Sequence, residues 1–592
     1  MKKQSEYYKY TLDTDLRQKA EKEAARFKEE ETQFQLGHLP TEQSHPVTVD
    51  FSQIAQKQPE NGIKLLLEVD KDLPPVARKI FSSKSYNELV NAFQFAIANN
   101  KKVCFSGCGS TGRLSMMLEE MWRQYWEDFA DVSPGYAARN PESDDIYLSR
   151  ANLVCSIMTG GDRALIRAVE NFEDYTAFGR RQVADLNLSK GDLLIAISEG
   201  GETSSVLGTI EEALTRGCQV FFAFNNPVSI LTSTVERSRR IIENKDVVIL
   251  DLYSGSMALS GSTRMQATTL EMLIIGSAIE ESILKDSGEK IISFDRQKQI
   301  ALMDGILESL SSPELLTIMA DLAVRESDIY RAGGRVTYLA SKFLLDIFSD
   351  TTERSPTFML PPFRPEDDKD APVSWAYAKD PTRSSKEAWF DMLRHAPRGL
   401  DWNSDDYKAM GAPQALIDNP PSLGSSEINR YFIGNEVDKS RTEKEPYLLL
   451  QILVGNVQSN IQRDNNTLWI GSPEYNNKED DGVIYFPIKL PDSPIYLWHH
   501  IAVKLILNTI STASMGIMGR IRGNWMVQLD PTNKKLVDRG SRIISQLTGI
   551  SYSKACEELH LSILAREELQ KEGGDTTTSP VEDALDRLSL TT

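Results

Sequence analysis

Residues 103–114 read Val103-Cys104-Phe105-Ser106-Gly107-Cys108-Gly109-Ser110-Thr111-Gly112-Arg113-Leu114. The apolar run predicts a short strand, the glycines a tight turn, and the periodicity beyond them a helix. Glycine lets a backbone curl and approach a ligand closely, here at Gly109. The helix N-terminus presents unpaired N–H groups and a partial positive charge, so the layout makes an anion cradle. Ser110 and Thr111 add hydroxyl donors. No Lys-Ser/Thr pair follows the glycines, which excludes a P-loop. The acidic residue about 20 positions on that a dinucleotide site requires is absent. Alone, the stretch reads equally well as a structural turn.

Outward from it, strands are expected at 102–106, 152–158, 192–197, 219–225 and 247–250, with helices at 204–216 and 263–281. This alternation predicts an α/β fold, a parallel sheet covered on both faces by helices. A second alternation follows, with strands at 334–339, 447–454, 467–470 and 483–487 and a helix at 341–348. Residues 361–445, rich in Pro, Asp and Ser, read as long loops. An exposed charged helix is expected at 15–32, amphipathic helices such as 85–99 within 40–100, and further helices at 496–514, 522–529 and 533–547. The 572–592 tail is expected to fray. The expected domains are a helical region 1–85, a first α/β unit 86–290, a second 291–495, and a C-terminal helical lid and tail 496–592. The two α/β units read as a divergent duplication.

A chain of 592 residues exceeds one hydrophobic core. Its 66 Lys and Arg against 85 Asp and Glu leave a net charge of −19, which argues against nucleic acid or an anionic membrane as partner. Five cysteines without paired spacing point to a reduced, cytoplasmic compartment, and neither they nor the six histidines have metal-ligand spacing. No cofactor or metal is implied. Met1-Lys2-Lys3-Gln4-Ser5-Glu6 has no apolar signal core, and no run reaches transmembrane length.

Two further loops repeat the opening pattern. Ser198-Glu199-Gly200-Gly201-Glu202-Thr203 closes one predicted strand, and Ser260-Gly261-Ser262-Thr263-Arg264 opens a helix. Strand carboxyl ends form the ligand crevice of open α/β sheets, which nominates Ser198, Gly200, Thr203, Ser262 and Thr263. Helix capping by Thr203 or Ser204 reads equally well. Arg264 reads as a phosphate fork or as a surface charge. Glu173 and Glu353, judged on local sequence alone, are solvated or structural carboxylates.

Taken together, the motifs Gly-x-Gly-Ser-Thr-Gly-Arg, Gly-Gly-Asp-Arg-Ala-Leu, Ala-Val-Glu-Asn-Phe-Glu-Asp and Ser-Gly-Ser-Thr-Arg-Met resemble the sugar isomerase (SIS) domain of N-acetylmuramic acid 6-phosphate etherases. They are also similar to the two-SIS glucokinase regulatory protein, which the length matches better. The resemblance implies two doubly wound, flavodoxin-like SIS domains in tandem and a phosphorylated hexose or amino sugar as ligand. It implies a lyase that cleaves a lactyl ether or, as the alternative, a non-catalytic sensor regulating a protein partner such as a sugar kinase. A weaker third reading is an aldose–ketose isomerase or deaminase. The etherases use two glutamates. One maps to Glu173. The other maps to Met121 in the first unit, beside Glu120, but its Asp-x-x-Glu-x-x-Pro-Thr-Phe segment reappears in the second unit with Glu353. The second unit has in turn lost its glycine loop, where Ala340-Ser341-Lys342-Phe343 stands. These complementary losses predict a fused pseudo-dimer with one composite site of catalytic Glu173 and Glu353. Arg520 stands where the regulatory protein carries a sugar-phosphate-contacting lysine. Gln266 and Glu202 depart from the etherase pattern, Glu202 by reversing a charge.

Overall fold

A parallel sheet must be buried on both faces, and five short strands of the first unit meet that demand. They are β1 (Val103–Gly107), β2 (Val154–Met158), β3 (Leu193–Ile197), β4 (Gln219–Phe224) and β5 (Val247–Asp251), all parallel in the order β2-β1-β3-β4-β5. The winding reverses between β1 and β3. That places a topological switch point at their carboxyl ends, where open α/β sheets hold ligands. The second unit contributes β6 (Arg335–Leu339), β7 (Ala376–Lys379), β8 (Tyr447–Val454), β9 (Thr467–Ile470) and β10 (Val483–Phe486). Read from one edge its order is β7-β6-β8-β9-β10, again parallel, so both sheets wind identically. The fold is α/β, two such units in tandem with helical flanks. The computed structural model describes residues 7–131, 147–169, 172–286, 294–443, 445–455, 466–471 and 483–589. Residues 1–6, 170–171, 287–293 and 590–592, parts of stretches read above, lie outside these.

One continuous core joins the units. Phe105 and Ile195 of the first sheet and Tyr338 and Leu450 of the second belong to it, bridged by the helices Gln266–Asp286 and Leu497–Ile517. Leu497–Ile517 is buried over nearly its whole length, so this part of the expected lid is core. The C-terminal helices Lys534–Thr548, Tyr552–Lys571 and Pro580–Ser589 pack around Ile543, Leu559 and Val581.

Several expectations are corrected. The stretch 522–529 is not helical: Ile521–Arg522 and Trp525–Met526 pair as an antiparallel hairpin, β11 and β12. The two-residue turn between them uses Gly523 at φ +62°. The tail does not fray over 580–589, because Val581, Ala584 and Leu585 are buried there. The 15–32 helix, found as Thr14–Glu30, buries Ala20, Ala24 and Phe27. The loops of 361–445 contain β7 and short helices such as Ser385–Leu393. The 341–348 helix runs instead from Leu344 to Phe358, which puts Glu353 inside it. Among the described residues no helix is long and apolar enough to cross a membrane.

Candidate functional site

A cavity of about 250 Å³ lies at the switch point of the first sheet. Its floor is the turn after β1. An added Cβ at Gly107 would stand 2.3 Å from the carbonyl carbon of Thr111, so no side chain fits there. Gly109 has φ +57°, the left-handed region that glycine enters freely. Ser110 then opens the 22-residue helix Ser110–Asp131, whose N-terminus faces the cavity.

Gly109, Ser110, Thr203, Ser262 and Thr263 line the cavity together with Glu173 and Glu353. Four other nominated residues sit outside its lining. The Thr111 hydroxyl closes a local turn, donating to the Cys108 carbonyl at 2.9 Å and accepting from the Cys108 N–H at 3.0 Å. Ser198 is buried and donates to Thr203 Oγ1 at 3.1 Å, and the Gly200 carbonyl accepts from Asn226 at 3.0 Å. Both shape the loop from behind. Arg520 donates to the Phe358 carbonyl at 2.8 Å and stacks over Trp375. It caps the C-terminus of the helix that carries Glu353, where a cation is favoured. In this position it does not line the cavity.

Glu173 stands on a single 3₁₀ turn, Phe172–Asp174. The turn is anchored by Phe172, fully buried and stacked 6.2 Å from Trp402 at 7°. Trp402 belongs to the second unit, which thus grips the turn from outside. Asn533 donates to Glu173 Oε1 at 2.7 Å, and Lys535 lies 3.7 Å from Oε2. Burial and the neighbouring Glu173 push Asp174 up to about 6.

Glu353 reaches the cavity from the second unit and is 7% exposed. Behind it a small annex contains Arg113, Arg264, Asp350 and Lys504. Arg264 is not a surface charge: it is 2% exposed and bonds Asp350, Ser511 and Thr512. Arg113 donates to Thr352 Oγ1 and the Leu165 carbonyl, at 3.2 and 3.0 Å. Burial lowers Lys504 to about 8, against the pull of Glu353 and Asp70.

The departures from the etherase pattern have physical explanations. Glu202 is paired with Arg237 at 2.8 Å and Lys535 at 3.5 Å, so its reversed charge is neutralised behind the loop. Gln266 bridges Asp70 and the Ala258 N–H as a buried tie. Met121 is fully buried, and Glu120 pairs with Arg394. Neither lines the cavity.

Motif reading did not nominate Arg113, Glu199, Asn533, Lys535 or Arg539, all of which line it. Arg113 ends the opening motif, so a signal existed for it, whereas Asn533, Lys535 and Arg539 are brought in from the start of the distant helix Lys534–Thr548. Glu199 stands inside the second quoted loop, where the hydroxyls and glycines drew the reading instead. Among the described residues no group of three His, Cys, Asp or Glu is placed to hold a metal ion.

The fold and cavity define a protein of two tandem, doubly wound α/β units with a polar cavity lined by residues of both. Similarity in sequence runs to N-acetylmuramic acid 6-phosphate etherase 1 of Bacillus licheniformis, 26% identical over 253 residues, covering 42% of this chain and 70% of the relative. The etherase of Actinobacillus pleuropneumoniae is 26% identical over 251 residues with the same coverage. No family model matches the chain. Among solved structures, the C-terminal domain of glucosamine-fructose-6-phosphate aminotransferase from Francisella tularensis superposes with a TM-score of 0.38 at 12% identity, over 77% of this chain and 96% of that one.

Proposed function

We propose that the chain binds a phosphorylated amino sugar and cleaves its lactyl ether, acting on N-acetylmuramic acid 6-phosphate or a related phosphosugar through Glu173 and Glu353. The observation that carries this reading is that both carboxylates, from different units, line one cavity with the helix N-terminus at Ser110. The phosphate sits on the Ser110 N-terminus beside Ser262 and Thr263. This anchors the sugar far from the reacting bond, so that binding energy positions C2 and C3. With the sugar open as its aldehyde, the C2 proton is acidic. Glu353 takes it, the C3–O bond breaks, and Glu173 protonates the departing lactyl oxygen. Water then adds at C3. One general base and one general acid suffice. Glu173 is oriented for its part by Asn533, whereas Glu353 makes no ion pair among the described residues.

Purified protein given N-acetylmuramic acid 6-phosphate is expected to release lactate, measured enzymatically. Release no faster than that of a Glu173→Gln variant, alongside retained hexose-phosphate binding, overturns the lyase and favours the sensor. The loop carries a separate prediction. Gly107→Ala is expected to weaken glucose 6-phosphate binding roughly 10- to 100-fold by titration calorimetry, since a shift of about 1 Å at an anchor is felt on that scale. Unchanged affinity would take the turn out of the site.

A further inference from the structure

Glu199 follows β3 at the switch point and lines the cavity, yet is 8% exposed, and its Oε1 has no hydrogen-bond partner. The Thr263 hydroxyl and the residue's own backbone N–H favour its ionised form, yet Oε1 is left over, and a buried oxygen without a partner asks for a reason. The surrounding charges do not supply one. Arg264 is taken by Asp350 and Arg539 by Glu42, while Lys535 lies between Glu173 and Glu202. Arg113 bonds only neutral acceptors. The cations around the cavity are therefore spent except at Arg113, while Glu199 makes no ion pair among the described residues. Its acidic neighbours Glu353 and the fully buried Glu271 oppose its ionisation, whereas its own backbone N–H, the Thr263 hydroxyl and Lys535 favour it.

We propose that Glu199 is the seat for a ligand ammonium group, so that the cavity takes a 6-phosphorylated 2-amino sugar with a free amine in preference to its N-acylated form. This rests on the phosphosugar reading above and narrows its substrate. The ligand's phosphate lies on the Ser110 N-terminus near Arg113, and its cation meets the carboxyl that no protein cation pairs with among the described residues. The placement suits the chemistry. Glu353, the group that takes the C2 proton, interacts electrostatically with Glu199. The amine is carried by that same carbon, and both carboxyls line the one cavity that would hold it. A positive nitrogen on C2 also acidifies the C2–H bond that Glu353 must break. In the empty site, burial and Glu353 hold Glu199 near 7, so it keeps its proton below that pH and loses it when an ammonium binds.

The test is calorimetric binding of glucosamine 6-phosphate, N-acetylglucosamine 6-phosphate and glucose 6-phosphate to the full chain. Glucosamine 6-phosphate is expected to bind about 10- to 100-fold tighter than glucose 6-phosphate, the range of one charge-assisted hydrogen bond. Glu199→Gln, close in shape and unable to ionise, is expected to erase that ratio while leaving glucose 6-phosphate affinity in place. In the unmodified chain the ratio should shrink as pH falls from 8 to 6. The ratio cancels titration of the phosphate common to both ligands. Equal binding of glucosamine and glucose 6-phosphates, tighter binding of the N-acetyl sugar, or a ratio untouched by Glu199→Gln overturns the inference and leaves the phosphosugar reading standing. Failure of all three sugars to bind overturns both.

Discussion

Glu353→Gln is expected to slow lactate release from a muramic acid 6-phosphate by about 10²- to 10⁴-fold, the contribution of one general acid or base. Glucose 6-phosphate binding should stay within a few-fold. The amide keeps the shape of the side chain and its place on the helix Leu344–Phe358 but cannot accept a C–H proton. The fall should appear in kcat rather than KM, because the interaction is made only at the transition state. Glu120→Gln, at the neighbour of the position where the first unit would have carried this carboxylate, is expected to leave release unchanged, since Glu120 does not line the cavity. A reversed pattern, with Glu120 essential and Glu353 dispensable, would refute a site shared between the units. With the Ser110 loop in one unit and Glu353 in the other, neither unit alone lines the whole cavity.

Both sheets were largely legible because fully buried strands are unbroken apolar runs, as Leu193–Ile197 and Tyr447–Val454 illustrate. β7 was not, because Ala-Tyr-Ala-Lys is short and half polar, and its strand character comes from pairing with β6. The helix around Glu353, expected to stop at 348, runs on to Phe358, and Pro356 in its last turn removes only the N–H that would have bonded the Thr352 carbonyl. The joining of Glu173 and Glu353 could be read from what each unit had lost. The role of Arg520 could not: a motif carries a residue's type but not its direction, and this side chain turns to the Phe358 carbonyl. Glu199 was hidden for a related reason. Its burial is imposed by segments far along the chain, among them the one that brings Lys535, and no local pattern records that.

Asp350→Asn is expected to destabilise the protein by about 3–5 kcal/mol, the cost of stranding buried charge. Its carboxylate is the electrostatic knot between the units. Oδ1 accepts from Arg264 at 3.2 Å, Asn508 at 2.8 Å and Ser511 at 2.8 Å, and Oδ2 accepts from Arg354 at 3.0 and 2.6 Å. Arg264 closes the third loop of the first unit, Arg354 belongs to the second unit's helix, and Asn508 and Ser511 lie on the shared core helix. Without the charge, Arg354 keeps Glu326, but Arg264 retains only hydroxyl partners. Arg264→Met in the same background should recover part of the loss by removing that stranded guanidinium, a coupling that chemical denaturation of the two single variants and the pair measures. Burial alone would raise the Asp350 carboxyl, yet Arg354 and Arg264 hold it below the usual range. A depressed carboxyl adds stability that is fully present above its unfolded value of about 3.9 and is lost as pH falls through the folded one. The gap between the unmodified chain and Asp350→Asn should therefore be widest near neutrality and close below about pH 4. A gap independent of pH would mean that packing, not charge, holds the knot. Because Glu353 follows Asp350 by three residues on the same helix, release of lactate by this variant should fall further than its folded fraction.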